Sequence, residues 1–175
     1  MVRWTLIPSP IPIFYEIKSR CYMARASKFN VSKDINKRTF NNIVFDSVME
    51  MKFYRDWVIP KMESGDIVSC DMQVKYELQE KFNHDGKTVL PINYIADFVI
   101  KYKNGHMSVI DTKGMPDSSA ILKRKMFWYK YPTIDYQWLS YSKIDSDGID
   151  GGWVPYEKVK KGRKERKKEK SNKKG

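Results

Sequence analysis

Three residues combine types and spacing that can do chemistry. Asp97 sits in Tyr94-Ile-Ala-Asp97-Phe-Val-Ile, and Asp111 and Lys113 sit in Met107-Ser-Val-Ile-Asp111-Thr-Lys113-Gly114. Both runs read as apolar β-strands, and strand interiors rarely hold charge unless it is paired or holds a metal. An Asp followed one hairpin later by Asp-x-Lys is what metal-dependent phosphodiester hydrolysis needs. Two carboxylates can hold Mg²⁺, and a lysine can steer or deprotonate the attacking water. The bland reading is a surface hairpin with a cross-strand ion pair.

The turn decides whether the three meet. Asp111 and Lys113 share a strand face in any register. A two-residue Asn104-Gly105 loop would put Asp97 opposite Thr112, on the other face. A three-residue loop, Lys103-Asn104-Gly105, with Gly105 left-handed, pairs Tyr102 with His106. Asp97 then faces Asp111, with Lys113 diagonal to it. The second register is expected.

These strands need a scaffold. Asp46-Ser47 with Glu50 reads as a capping box opening a helix whose apolar face is Val48, Met49, Met51, Tyr54, Trp57 and Val58. Pro60 should end or kink it, and Gly65 should stop it. Residues 66–78 alternate as a long strand, and Asn83-His-Asp-Gly86 is a turn. Asp117 should cap a second helix running to about Lys130, with Pro132 beyond. Residues 134–141 alternate as a last strand, followed by a flexible loop and a short element at 153–156. The order helix, three strands, helix, strand implies an α/β fold with a mixed central sheet flanked by helices.

Composition sets the limits. The 175 residues, 41% hydrophobic and 14% aromatic, suffice for one domain with a core. No apolar run is long enough for a membrane span, and residues 1–13, broken by Pro8, Pro10 and Pro12, do not read as a signal peptide. Cys21 and Cys70 make no metal spacing and fit a reducing cytoplasm. The net charge is +12, and residues 158–175 hold eleven Lys/Arg against two Glu, so +9 of it lies there. Three segments follow: an N-terminal extension at 1–24, a folded domain at 25–157, and a basic tail at 158–175, disordered or partly helical, that attracts polyanions or merely solubilises.

The helix-strand order and the placed acids resemble the PD-(D/E)XK nuclease core, restriction-endonuclease-like (αβββαβ). Glu50 matches its helix acid, Asp97 the motif Asp, Asp111 the second acid and Lys113 the lysine; Ala96 stands where the motif proline would be. Several runs also resemble a phage and prophage family of small nuclease-like proteins, long without an assigned function and related to Holliday-junction resolvases. They are Phe45-Asp-Ser, Glu50, Tyr54, Gly65-Asp-Ile, Gln73-Val-Lys-Tyr-Glu-Leu78, Tyr94-Ile-Ala-Asp97-Phe98, Val109-Ile-Asp111-Thr-Lys113-Gly114, Leu122-Lys-Arg-Lys-Met-Phe127 and Tyr131-Pro132, across about residues 24–141.

The resemblance implies a Mg²⁺- or Mn²⁺-dependent endonuclease acting on branched or duplex DNA in a bacterial host's cytoplasm, with a homodimer as one form it could take. Metal ligands would be Asp97, Asp111, the Thr112 carbonyl and Glu50, although Glu50 also reads as nothing more than the capping-box partner of Ser47. Gln73 reads equally as a metal or phosphate contact and as a surface hydrogen bond. Of Lys123, Arg124 and Lys125, one should face the site, since helical neighbours point about 100° apart. Lys160, Lys161, Arg163 and Lys164 of the tail would hold phosphates. Trp128, Trp138 and Trp153 read as core or dimer contacts, Trp128 also as a base-stacking platform. His84 and His106 give no reason to assign a role. A non-catalytic nucleic-acid-binding protein and an RNA nuclease remain open alternatives.

Overall fold

The structure is a computed structural model, and it describes residues 34–147 and 149–173. The expected 1–24 extension and Cys21 lie outside the described residues. A short hairpin, β1 (Thr39–Phe40) and β2 (Ile43–Val44), leads into helix α1 (Val48–Phe53). Ser47 caps α1: its hydroxyl accepts from the Glu50 N–H at 3.1 Å.

Pro60 does not end this helix, and the irregularity beside it is a π-turn. Residues Tyr54–Val58 widen into a π-turn in which the Ile59 N–H reaches the Tyr54 carbonyl, and α2 (Ile59–Glu63) continues with Pro60 in its first turn. A proline has no N–H to offer, and the wider turn absorbs the missing bond. Gly65, at φ +80°, ends the helix as expected.

Strand β3 (Ile67–Gln79) follows, then a small hairpin of β4 (Phe82–His84) and β5 (Lys87–Val89). Next come β6 (Ile92–Tyr102), β7 (Met107–Thr112), helix α3 (Ser118–Lys130), β8 (Asp135–Tyr141), β9 (Trp153–Pro155) and helix α4 (Tyr156–Asn172). The central sheet runs β3-β6-β7-β8-β9; only β7 and β8 are parallel, joined by α3. This is a mixed α/β sheet with flanking helices, a restriction-endonuclease-like core. No helix among the described residues is long and apolar enough to cross a membrane.

Two cores sandwich the sheet. One packs Met51, Phe53 and Val58 of the first helical segment on Phe98, Ile100 and Ile110. The other packs Phe127 of α3 and Tyr156 of α4 with Tyr94, Ala96, Val99, Val109, Tyr136 and Trp138. Strand residues of one parity should share one face. Yet Tyr94 and Ala96 serve the second core while Phe98 and Ile100 serve the first. On the paired strand, Met72 packs on the first core and Val74 on the second. The alternation therefore breaks at Asp97 and at Gln73, and Gln73 takes φ +55°, rare for a non-glycine residue.

The basic tail takes the helical one of its two expected forms, disordered or partly helical. Its residues 158–172 form the body of α4, so the boundary expected at 157/158 falls inside a helix. Tyr156 and Val159 are buried, and the Arg166 guanidinium holds Asp145 by two bonds of 2.8 and 3.1 Å. Gly162 is required at this crossing, because a Cβ there would run into the Asp145 carboxylate.

Candidate active site at the open end of a hairpin

The turn between β6 and β7 has the expected three-residue form. Gly105 is left-handed at φ +83°, its N–H bonds to the Tyr102 carbonyl, and the Tyr102 N–H bonds to the His106 carbonyl. The pairing runs Lys101↔Met107 through Phe98↔Ile110, which brings Asp97 opposite Asp111 one step further on. There the backbone ladder stops and side chains replace it. Asp111 Oδ1 accepts the Asp97 N–H at 3.2 Å; Asp97 Oδ2 accepts the Thr112 N–H at 2.8 Å and the Thr112 hydroxyl at 3.2 Å. Lys113 Nζ lies 2.7 Å from Asp111 Oδ2.

Burial makes this arrangement consequential. Asp111 is fully buried and Glu50 is 7% exposed, while Asp97 is half-buried. The Asp97 carboxyl is held well above the ordinary carboxylate range, first by burial and then by its neighbours Asp111 and Glu50. Burial raises Glu50 to about 7, against the pull of its Ser47 hydrogen bond. Lys113 is pushed above the usual lysine range, because Asp111 and Asp97 outweigh the burial that would lower it. It therefore stands as a cation and a hydrogen-bond donor, not as a base.

Glu50 combines the two roles weighed in the sequence. Its Oε1 accepts the Ser47 hydroxyl at 2.7 Å and its Oε2 the Asp46 N–H at 3.3 Å, which completes the capping box. It also lines a cavity of about 100 Å³ together with Asp46, Gln73 and Asp97. Gln73 lies between the pairs Met72↔Phe98 and Val74↔Ala96, and so across from Asp97. Its side chain is exposed at the break in alternation.

The other basic residues divide. Lys123 is turned away, its ammonium donating to the Asn93 carbonyl at 2.8 Å. Arg124 lies between two indoles and pairs with Glu157 at 2.5 Å, while Lys125 is exposed. Arg163 spends a donor on the Gly114 carbonyl at 2.9 Å; Lys160, Lys161 and Lys164 point to solvent along α4. Trp138 and Trp153 are core residues, and Trp128 is 45% exposed.

Behind Asp111 lies a polar cluster that motif spacing did not reveal. The Tyr136 hydroxyl is 3.5 Å from Asp111 Oδ2 and 2.9 Å from the Tyr94 hydroxyl, and it accepts the Trp138 indole N–H at 2.6 Å. The signal available was a tyrosine on a core-facing strand position, whose hydroxyl must find a partner when buried.

Among the described residues no three His, Cys, Asp or Glu side chains stand as a preformed metal-ligand set. The donors nevertheless suit a hard divalent cation. Asp97 and Asp111 offer carboxylate oxygens crowded by a third carboxyl, and crowding of that kind is relieved by positive charge.

A restriction-endonuclease-like sheet with its acids at the open end of the central hairpin is the class of protein that fold and site define. The model of the family described as protein of unknown function (DUF1064) matches residues 26–146, and the chain belongs to that family. No curated protein matches the chain.

Proposed function

We propose that this protein is a metal-dependent DNA endonuclease of the PD-(D/E)XK type, acting on branched DNA. The observation that carries the reading is Asp97 set across from Asp111 where the β6–β7 ladder stops, with Lys113 ion-paired at 2.7 Å. A Mg²⁺ or Mn²⁺ ion held by Asp97 and Asp111, with the Thr112 carbonyl and Glu50 as further oxygen donors, would supply Lewis-acid polarisation of the scissile phosphate.

The chain's own groups do the rest. Thr112, through its N–H and hydroxyl, fixes one oxygen of Asp97, and the Asp97 N–H fixes one oxygen of Asp111, so both carboxylates are oriented before substrate arrives. Lys113, charged and 25% exposed, donates toward a water or a non-bridging oxygen and stabilises charge gathering on the phosphate. Water attacks phosphorus in line and the bond to the 3′ oxygen breaks. That oxygen takes a proton, leaving 5′-phosphate and 3′-hydroxyl ends.

The preference for branched DNA, a homodimer that would place two such sites, and a phage or prophage origin rest on the family resemblance. The runner-up is a non-catalytic nucleic-acid-binding protein, favoured by the Lys113–Asp111 ion pair, which satisfies both groups internally.

Cleavage of labelled four-way junction, flap and linear duplex DNA with Mg²⁺ or Mn²⁺ tests the proposal, comparing wild type with Asp97→Asn and Lys113→Ala. Metal-dependent cutting lost in both variants, strongest on a branched substrate, is expected. No cutting by wild type, with salt-sensitive DNA binding intact, would replace the proposal with the runner-up.

A further inference from the structure

A second cavity, of about 320 Å³, opens between α3 and α4, and Trp138 is part of its lining. Two cations approach the Trp138 indole, with Lys113 Nζ 6.0 Å and the Arg124 guanidinium 4.2 Å from its ring centre. The Arg124 guanidinium also lies 4.4 Å from the ring centre of Trp128, so one planar cation contacts two indoles. Its Nε is buried and has no hydrogen-bond partner among the described residues. The guanidinium is held instead by Glu157, a carboxylate 56% exposed to water. Lys125 and Lys160 stand at the rim, both exposed, and Tyr156 forms part of the wall.

We infer that this cavity binds one unstacked nucleotide of the DNA strand engaged at Asp97, Asp111 and Lys113. The inference rests on the nuclease reading for its substrate and deepens it. A nucleotide joins a flat π-face to an anion, and the cavity offers both complements. The exposed indole of Trp128 is a stacking platform, and Arg124, Lys125 and Lys160 are the countercharge. The Arg124–Glu157 pair is open to water at its Glu157 end, where a phosphate can take the place of that carboxylate on the guanidinium. The volume falls within the range of small-molecule sites. Duplex DNA, whose bases are stacked inside, cannot fill it without extruding a nucleotide, whereas a branch point or a bulge presents one ready unstacked.

The test is equilibrium binding of the full chain in EDTA, where nothing is cut. Fluorescently labelled duplexes would be perfect, bulged by one thymidine, or bulged by one abasic site. Wild type should prefer the thymidine bulge over the perfect duplex by about tenfold, the scale of one base–aromatic stack, and lose that preference at the abasic bulge. Trp128→Ala should bind all three alike, with perfect-duplex affinity unchanged. Lys125→Glu, a surface change that leaves the fold untouched, should weaken the bulged duplex more than the perfect one. Equal affinities for the three duplexes in wild type overturn the inference, as does a preference that survives Trp128→Ala. Displacement of the bulged duplex by a poly-glutamate peptide at equal concentration would also overturn it, assigning the cavity to an acidic protein. A chain that prefers the bulge yet cuts no DNA supports this subsite while sinking the nuclease reading; one that cuts without preference does the reverse.

Discussion

A buried or half-buried acid stands at each end of the β6–β7 hairpin, and the two surroundings are built on opposite principles. At the turn end, Asp135 of the neighbouring β8 accepts from Ser108 at 2.5 Å and Gln137 at 2.8 Å, with His106 at 3.0 Å. Burial raises its pKa, but the three partners outweigh burial and hold it below the ordinary range. At the open end Asp97 has donors too, yet burial and two more carboxyls push it the other way. An acid saturated with donors is at rest; an acid crowded by acids needs a cation. The strand pairing is common to both, and only the company differs.

The largest effect that would break this contrast is catalytic. Asp97→Asn keeps an acceptor for Thr112 but removes the charge, and we expect it to cut DNA at least about 10³-fold more slowly than wild type. In denaturant melts at pH 7.5 in EDTA, it should be no less stable than wild type. A clear loss of stability with cutting retained would make the open end as structural as the turn end.

Asp135→Ala should do the converse. It removes the 2.5 Å acceptor of the buried Ser108 hydroxyl, 1% exposed, and leaves it only the His106 ring at 3.1 Å, which should lower stability by about 1 kcal/mol. Cutting rates at a temperature well below the melt should stay within about twofold of wild type. A large drop in rate there would show that the two ends are coupled.

A pH series separates the ends more finely. Glu50 is raised from 4.5 to about 7 by burial, so between those values the folded chain binds more protons than the unfolded one. Stability from this group is therefore full below about pH 4.5 and is lost as pH rises through 7, by up to roughly 3 kcal/mol. Melting temperature in EDTA should fall across that window, and Glu50→Gln should flatten the fall. An unchanged slope in the variant would remove Glu50 from the crowd.

The smallest expected effect is a ligand shift. Millimolar Mg²⁺ should raise the wild-type melting temperature by about 2–4 °C through mass action, and should not move Asp97→Asn. An equal shift in both would place the ion elsewhere.

The hairpin was legible because its register hangs on one local signal, the Lys103-Asn104-Gly105 turn with its left-handed glycine. The capping box at Ser47 and Glu50 and the Asp117 cap of α3 were legible for the same reason. Tertiary choices were not. Helical spacing says only that Lys123, Arg124 and Lys125 diverge; which of them meets Trp138 depends on how α3 lies across β8. Lysine density left the tail open between a solvated chain and a helix, while Tyr156, Val159, Arg163 and Arg166 recur at intervals that line one helical face. Pro60 does not end its helix because a π-turn repairs the bond that proline deletes. The break of alternation at Gln73 and Asp97 has no sequence mark at all.

Arg163 on the Gly114 carbonyl fastens α4 to the segment that leaves Lys113, and Arg166 on Asp145 fastens it to the loop after β8. In a nuclease of the kind proposed, this turns a charged arm into a ruler. Seventeen residues of helix extend roughly 25 Å. That length spans about seven base steps, so the phosphates gripped by α4 would sit at a set count from the one that is cut.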